Sequence, residues 1–303
     1  MDRLEGMAIL VAVVETGSLS AASRKLGVPL PTISRKLAEL ESHLKTRLLI
    51  RTTRRLSLSE AGADYVAACK RILEQVGAAE RAASGEYTAP RGELVIAAPV
   101  VFGRLHVLPA ANDFLAAFPE IDVRLALSDR NVDLIEDHID LAVRIGPLPD
   151  SSMVATRVGF VRRVVCGSPA FFASRGEPKT PEDLSRLPCI TFEVFGSRTS
   201  WDFMIPATET ERAVPIHSRL SVNTAEAAID AAIAGVGVAR VLSYQAARAT
   251  EQGRLSIVLE EFEPPPMPVN LLHAARGLLP LKVRSFLDFS APRLRKALPG
   301  LPG

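Results

Sequence analysis

The stretch Gly17-Ser18-Leu19-Ser20-Ala21-Ala22-Ser23-Arg24-Lys25-Leu26-Gly27-Val28-Pro29-Leu30-Pro31-Thr32-Ile33-Ser34-Arg35-Lys36-Leu37 decides how the first part of the chain folds. Gly17 stands where a C′ glycine ends a helix, and upstream of it Met7, Leu10, Val11 and Val14 recur at i, i+3, i+4 and i+7. Ser18 is placed to cap a second helix, which runs through Ala21, Ala22 and Leu26 and stops at Gly27. After the turn Gly27-Val28-Pro29-Leu30, Pro31 suits the first residue of a third helix with the apolar stripe Ile33, Leu37, Leu40 and Leu44. The other face of that helix shows Thr32, Ser34, Arg35, Lys36 and Glu39. Short helices joined by a tight turn, the last apolar on one side and polar-basic on the other, make a helix-turn-helix.

Working outward, 48–50 and 56–58 read as two short strands around Arg51-Thr52-Thr53-Arg54-Arg55, a basic hairpin tip beside the third helix, which is a wing. Ser59 then begins a capped helix with Glu60 in its first turn. Tyr65, Ala68, Cys69, Ile72 and Val76 continue at three-and-four spacing toward Ala79 and Ala83. So long and narrowly striped a helix needs a partner to cover it, most simply the same helix of a second subunit. The residues Ser84-Gly85-Glu86-Tyr87-Thr88-Ala89-Pro90-Arg91-Gly92 have the composition of a linker.

Charge separates the same parts. The chain of 303 residues has a formal net charge of +2, but residues 24–55 hold nine basic side chains against Glu39 and Glu41. That segment carries +7 and the remainder −5. A basic module on a slightly acidic body suits phosphate binding, because neutralised phosphates release counterions. With 48% hydrophobic and 23% charged residues the rest can bury a sizeable core. No apolar run approaches a membrane span and the N-terminus lacks the order of a signal peptide, so no membrane partner and a cytoplasmic location are expected. Cys69, Cys166 and Cys189, odd in number and far apart, read as buried reduced thiols. No metal site or cofactor is expected from them.

From Glu93 onward short apolar runs alternate with helical patterns: strands at 94–98, 123–127 and 141–145, helices at 104–118 and 132–137. A second unit of the same kind begins near Arg163, with strands at 164–166, 189–192, 219–222 and 236–238 and helices at 169–174, 224–234 and 243–250. A last strand at 269–273 and helix at 281–289 suit a return to the first unit, with residues past Pro292 frayed. The expected fold class is α/β overall, with mostly parallel sheets. It comprises a winged helix-turn-helix at 1–59, a dimerising linker helix and hinge at 60–91, and two α/β subdomains at 92–303. The first subdomain takes 92–161 and 267–292, the second 162–266, with a ligand cleft between them.

These residues resemble the LysR-type transcriptional regulators. The likeness is densest in Gly17 to Val28 as quoted, Pro31-Thr32-Ile33-Ser34-Arg35-Lys36-Leu37, Leu40-Glu41, and Leu48-Leu49-Ile50-Arg51-Thr52-Thr53-Arg54-Arg55-Leu56-Ser57-Leu58-Ser59-Glu60-Ala61-Gly62. It continues through Ala97-Ala98-Pro99, Phe102-Gly103, Leu108-Pro109, Phe118-Pro119, Asp133-Leu134-Ile135-Glu136, Ile139-Asp140-Leu141-Ala142-Val143-Arg144-Ile145-Gly146 and Gly235-Val236-Gly237, which are similar to the family's periplasmic-binding-protein-like effector domain. The resemblance implies a sequence-specific DNA-binding regulator that is not an enzyme. Its implied partners are a pseudo-palindromic double-stranded promoter site, a small-molecule effector and further copies of itself, as a homodimer or homotetramer.

The DNA-binding candidates are Ser18, Ser20, Leu30, Pro31, Thr32, Ser34, Arg35 and Lys36 around the recognition helix, and Arg51, Arg54 and Arg55 in the wing. Leu30 stands where relatives commonly carry a polar residue, often glutamine. It offers only apolar contact, for instance to a thymine methyl. In the effector domain, Pro99, Val100 and Val101 follow the first strand, and Ser128, Asp129 and Asn131 follow the second; such turns face the cleft in doubly wound folds. Free amides at those helix starts suit a small carboxylate, the class the resemblance suggests, whereas the apolar Val100 and Val101 leave a bulkier or aromatic metabolite open. Phe195, Ser197, Thr199, Asn223 and Thr224 are candidates across the cleft, with Asn223 also placed to cap its helix. Arg144 could meet an anion or pair internally with Asp140.

Among competing readings, an enzyme lacks support: there is no Gly-rich phosphate loop, nucleophile elbow or metal-spaced cluster, and the five histidines are scattered. A solute-binding protein leaves the basic first sixty residues unexplained. Redox sensing through Cys166 and Cys189 does not match the spacing or flanks of the family's peroxide sensors.

Overall fold

Asp2 opens the first helix: its Oδ1 accepts the N–H groups of Leu4 at 3.0 Å and Glu5 at 3.4 Å, and α1 (Arg3–Thr16) ends where Gly17 turns left-handed at φ 71°. Ser18 caps α2 (Leu19–Leu26) by accepting from Ala21 N at 3.1 Å. The third helix, α3 (Leu30–Leu44), begins one residue earlier than expected. The Pro29 carbonyl accepts from Thr32 N at 2.9 Å and Ile33 N at 3.1 Å, so Leu30 is the first helical residue and Pro31 the second, where a missing N–H still costs nothing. Strands β1 (Leu49–Arg51) and β2 (Leu56–Leu58) pair antiparallel, Leu49 opposite Leu58, and α4 (Glu60–Ser84) follows. Ile9, Leu10 and Val13 of α1 pack on Ile33, Leu37 and Leu40 of α3, with Leu48, Val66 and Cys69 closing the core.

The computed structural model describes residues 2–51, 56–84, 89–130, 133–134, 137–148, 153–192, 199–274 and 279–298, with only the backbone at 51, 78–79 and 81–84. It divides into two compact units, Met1–Ala89 and Pro90–Gly303.

The second unit holds two five-stranded sheets. The first uses β3 (Gly92–Ala98), β4 (Ile121–Leu127), β5 (Leu141–Ile145), β6 (Met153–Val161) and β14 (Met267–Ala274) in the order β4-β3-β5-β14-β6. The other uses β7 (Arg163–Gly167), β8 (Pro188–Phe192), β11 (His217–Val222), β12 (Val238–Leu242) and β13 (Ser256–Val258) in the order β11-β8-β12-β7-β13. The expectation of mostly parallel sheets gives way to a mixed pattern, repeated in both. In each sheet four strands run the same way and one runs opposite between two of them, β14 in the first and β7 in the second, so that two pairings are parallel and two antiparallel. The cause is the path of the chain. It leaves the first sheet along β6 and returns along β14, so these neighbours point in opposite directions, as do β7 and β13. A hairpin of β9 (Ser200–Ile205) and β10 (Thr210–Pro215) lays Trp201, Phe203 and Val214 on the second sheet.

Helices cover the sheets. Short α5 (Val100–Phe102), a π-turn (Gly103–Val107) and α6 (Leu108–Ala117) follow one another without a break, and with α10 (Leu281–Ala297) they bury Phe102, Phe114 and Phe286 on the first sheet. Helices α8 (Ala225–Ile233) and α9 (Ser243–Glu251) cover one face of the second sheet, and α7 (Pro169–Arg175) lies on the other.

Four expectations are corrected here. The helix expected from 104 starts at Val100, because the Pro99 carbonyl receives Gly103 N at 2.7 Å and so opens the first turn. Among the described residues of 132–137 there is a turn in place of a helix: Asp137 Oδ2 takes the Asp133 amide at 2.9 Å, and His138 is left-handed at φ 56°. A side chain that satisfies the backbone this way competes with helix. The strand expected at 236–238 lies at Val238–Leu242. A Cβ on Gly237 would sit 2.2 Å from Pro188 O, so that glycine serves a close backbone crossing at the strand's entry. Beyond Pro292 the chain is not frayed: α10 continues to Ala297, because Leu294 and Leu298 are buried in the first sheet's core. That burial outweighs the hydrogen bond Pro292 cannot donate.

Candidate functional site

The exposed side of α3 follows from its buried side. With Ile33, Leu37 and Leu40 inward, the opposite stripe is Pro31, Arg35, Ala38 and Ser42. Arg35 is 67% exposed at its side chain and, among the described residues, pairs with Glu39, one turn on, at 3.9 Å. Leu30, 42% exposed, stands at the helix start, with Thr32 and Ser34 half-buried at the stripe's flanks. Lys36 is different. It lies toward the core edge, its side chain only 17% exposed, and forms an ion pair with Glu5 of α1. The expected groove contact is therefore turned against a neighbouring helix. Ser18 spends its hydroxyl on the cap of α2, and Ser20 is exposed beside it. Lys25 and Lys70 share Glu15 at 2.9 and 3.3 Å, chiefly through Lys25, and this holds the Glu15 carboxyl below its usual range. Among the described residues Arg24, Lys45 and Arg47 are exposed cations with no carboxylate partner.

The wing is fixed to α3 and α4 by Glu41, whose role sequence reasoning missed, and by Ser59, expected to cap α4. Glu41, read only as a charge, accepts Leu48 N at 2.8 Å and Leu49 N at 3.0 Å through Oε1. Ser59 accepts Gly62 N at 2.9 Å and donates to Arg47 O at 2.7 Å. A Cβ on Gly62 would stand 2.1 Å from Leu48 O, so only glycine lets α4 pass this close. Arg51 closes β1 with its side chain outside the described residues, where Arg54 and Arg55 also lie. On α4, Val66 and Cys69 face the core, while Ile72 remains exposed and Tyr65 and Val76 half-exposed.

In the second unit the two sheets meet where α5 and its π-turn approach α8 and α9. Phe102 and His106 pack on Tyr244, at centroid distances of 5.4 and 5.8 Å, and Arg104 reaches Glu226 at 3.5 Å. Two crossovers tie the sheets behind this contact. Arg162 joins Glu260 at 3.0 Å and Glu263 at 3.2 Å, while its backbone exchanges bonds with Ser243, N to Oγ at 3.1 Å and O from N at 2.8 Å. Burial pushes Glu263 up to about 7, against the pull of Arg162. Burial, with the Asp129 carboxylate second and Glu226 behind it, raises the Tyr244 phenol.

The expected effector residues separate on this frame. Val100 is half-exposed at the helix start, with Pro99 at its cap, but Val101 is buried in the core and removed from the cleft. The Val100 amide is not free: it donates to Asp129 Oδ1 at 3.0 Å. Ser128 accepts from Arg130 N at 3.1 Å. Thr224, not Asn223, caps α8 by accepting Ala227 N at 3.2 Å, leaving Asn223 exposed beside it. Thr199 is exposed, its carbonyl held by Ile216 N at 2.8 Å. Arg144 shares a sheet face with Ala142, opposite the face that carries α5. The acid beside it, Asp140, instead meets Lys282 of α10 at 3.3 Å and the Val95 amide at 2.9 Å. Asn131, Phe195 and Ser197 lie outside the described residues.

Two family descriptions match this architecture. Residues 4–63 match "Bacterial regulatory helix-turn-helix protein, lysR family", and residues 88–295 match "LysR substrate binding domain". The chain belongs to the LysR family of bacterial transcriptional regulators. It is a DNA-binding transcription regulator with an effector-binding domain, and members of this family bind DNA and small-molecule effectors and oligomerise. A transcriptional regulator of Xanthomonas campestris is 36% identical over 290 residues, covering 94% of this chain and 84% of the relative. The transcriptional activator AaeR of Escherichia coli is 30% identical, covering 95% and 93%. Among solved structures, the LysR-type regulator CrgA of Neisseria meningitidis superposes with a TM-score of 0.61 at 30% identity, over 96% of this chain and 98% of that one.

All three cysteines of this LysR-family chain are free and buried. Burial drives the Cys166 and Cys189 thiols up to about 12. Strand β12 separates their strands, and they serve cores on opposite faces of the sheet. Two strand spacings, about 9–10 Å, exceed the reach of a disulfide. Among the described residues no group of His, Cys, Asp and Glu could hold a metal, and no single helix is long and apolar enough to cross a membrane.

Proposed function

We propose that this regulator works in the cytoplasm, without catalysis, as a homodimer or dimer of dimers on pseudo-palindromic promoter DNA, reading each half-site through α3 and its wing. The observation that carries this is the exposed stripe that begins at Leu30 and Pro31 and continues through Arg35, on a helix whose other side is locked into a core. In a helix-turn-helix the first residues of the recognition helix reach base edges. Arg35 is the base reader, Leu30 an apolar reader, Thr32, Ser34, Ser18 and Ser20 contact bases or backbone, and Arg51, Arg54 and Arg55 hold flanking backbone or minor groove. Lys36 acts through Glu5, setting how α3 sits on α1. Exposed Ile72 with Tyr65 and Val76 supports pairing through α4.

In the second unit a small-molecule effector binds between the two subdomains, 92–161 with 267–292 and 162–266, against Pro99, Val100, Ser128, Asp129, Thr199, Asn223 and Thr224. Its binding shifts the spacing of the DNA-binding pairs. Footprinting upstream of the chain's own or a neighbouring gene tests the reading. A protected dyad with half-sites in helical-turn register is expected, and a single unpaired footprint or none would overturn it. In the same assay Arg35→Ala costs roughly 1–3 kcal/mol and relaxes base preference at one position per half-site. Unchanged specificity would remove Arg35 from the groove.

A further inference from the structure

At the end of the second sheet away from the cleft, α7, the entries of β8 and β11 and the tail of α8 line a cavity of about 340 Å³. Strands β8 and β11 run parallel away from it. Pro188 and Arg219 lie at its wall, whereas Asn223 and Thr224 follow the far end of β11, about 13 Å of extended chain beyond Arg219. The cavity is therefore separate from the candidate effector residues. Among the described residues its ionisable lining is Arg175, from the last turn of α7, and Arg219, and neither has an ion pair or a hydrogen bond. Ser168, 5% exposed, lines the same space. Its oxygen accepts Phe171 N at 3.3 Å as the cap of α7, and its proton meets no acceptor among the described residues. A hydroxyl both donates and accepts, so a buried donor is left unmatched beside two unpaired cations. The end of α8 does not offset them, since the carbonyls of Asp230, Ala231 and Ala232 are taken by Ala234 N, Val236 N and Gly235 N.

We propose that this cavity is a second ligand site, which binds a phosphoryl group between Arg175 and Arg219 with the Ser168 hydroxyl as a further donor. Two guanidinium forks bring a charge of +2 and donors in pairs, and a phosphate monoester answers with about −1.5 to −2 and three acceptor oxygens. A monocarboxylate brings one charge and two oxygens, leaving one guanidinium unmatched. The volume is at the small end of ligand clefts, roughly 300–1,000 Å³, and Phe171, Pro188 and Ile233 supply an apolar part of the lining. The phosphoryl group accordingly belongs to inorganic phosphate or to the ester of a short carbon chain.

Inorganic phosphate, glycerol 3-phosphate and acetate serve as probes on the full-length protein. They are read by the backbone amide resonances of Ser168 and Gly235, which line the cavity and lie outside the basic first unit. In the wild type both phosphates shift these amides, and acetate at the same concentration does not. Both arginines are exposed, so their replacement leaves the fold intact. Arg175→Ala and Arg219→Ala each weaken phosphate binding about tenfold or more, the scale of one charged hydrogen bond, and the double variant abolishes it. Arg175→Lys keeps the charge and loses the fork, so its affinity falls between wild type and Arg175→Ala. Tighter binding of glycerol 3-phosphate than of phosphate identifies an ester as the occupant, and equal binding identifies the ion. No shift with either phosphate would overturn the inference, as would acetate shifting the amides equally or affinities unchanged in both alanine variants. Phosphate shifts confined to Val100 and Thr224 would place the anion in the cleft and overturn it as well.

Discussion

The two units hold their working surfaces in different ways. In the N-terminal unit, the recognition helix, its turn and the wing strands are fixed by partners close in sequence: Ser18 caps three residues on, Glu41 holds Leu48 and Leu49, and Ser59 reaches back to Arg47. In the second unit the cleft is assembled from segments far apart, with Phe102 on Tyr244, Arg104 on Glu226 and Arg162 on Glu263. A reading surface made of local contacts is rigid and tolerates little movement. A junction made of few long-range contacts between two sheets can open and close at small cost. The difference teaches which unit senses and which reports.

Breaking each unit separately tests that contrast. The largest effect is expected from Lys282→Ala. The Lys282 side chain is 5% exposed and balances the half-buried Asp140 at 3.3 Å, so its removal takes the counter-cation from a carboxylate left with the Val95 amide, and the donor from Glu93 O. A loss of about 3–5 kcal/mol from the second unit is expected in chemical denaturation, with the first unit's transition unmoved. Both transitions shifting together would show that the units do not unfold independently. Next, Gly62→Ala forces a Cβ onto Leu48 O and should cost the first unit about 3 kcal/mol, abolishing DNA binding while the second unit still melts as in wild type. Retained DNA affinity would mean the wing's seat on α4 is dispensable.

The smallest effect concerns the crossover behind the cleft. Glu263 is raised from 4.5 to about 7 by burial, so the folded protein keeps a proton that the unfolded chain releases. The stability this contributes is full below about pH 4.5 and is lost as pH rises through 7. Glu263→Gln, permanently neutral, should therefore gain on the wild type from pH 5 to pH 8, by roughly 2–4 °C in melting temperature. An advantage that is flat with pH would show that the pull of Arg162 cancels the push of burial, and one that falls with pH that it exceeds it.

Much of the first unit was legible because its signals are local. Gly17, Ser18, Gly27 and the apolar stripe of α3 act within one or two turns of where they are read, and boundaries moved by one residue, the start of α3 from Pro31 to Leu30 and the first wing strand from 48–50 to Leu49–Arg51. In the second unit the period of apolar residues located most strands, but the glycines misled. Gly237 marks a backbone crossing against Pro188 and not a strand interior, and the Asp133 amide, read as helical, is taken by the Asp137 side chain. Strand direction was not legible either, since it depends on which strands carry the chain between the sheets.

For the candidate sites, residue type indicated Arg35 and Lys36 alike, and only packing set them apart: a rotation of about 100° on the helix puts one in solvent and the other against Glu5. Val100 and Val101 separate by the same rotation, one half-exposed and one buried in the core. By itself, then, the sequence determined the helix-turn-helix, its basic character and the two-part α/β body, because caps, periodicity and charge density are written in neighbouring residues. Only the tertiary structure decided that Asp129 occupies the Val100 amide, that Tyr244 faces His106, and that Lys282 neutralises Asp140. Each of these joins residues dozens to more than a hundred positions apart, and no local rule of spacing reports which distant groups the folding of two sheets brings within a hydrogen bond.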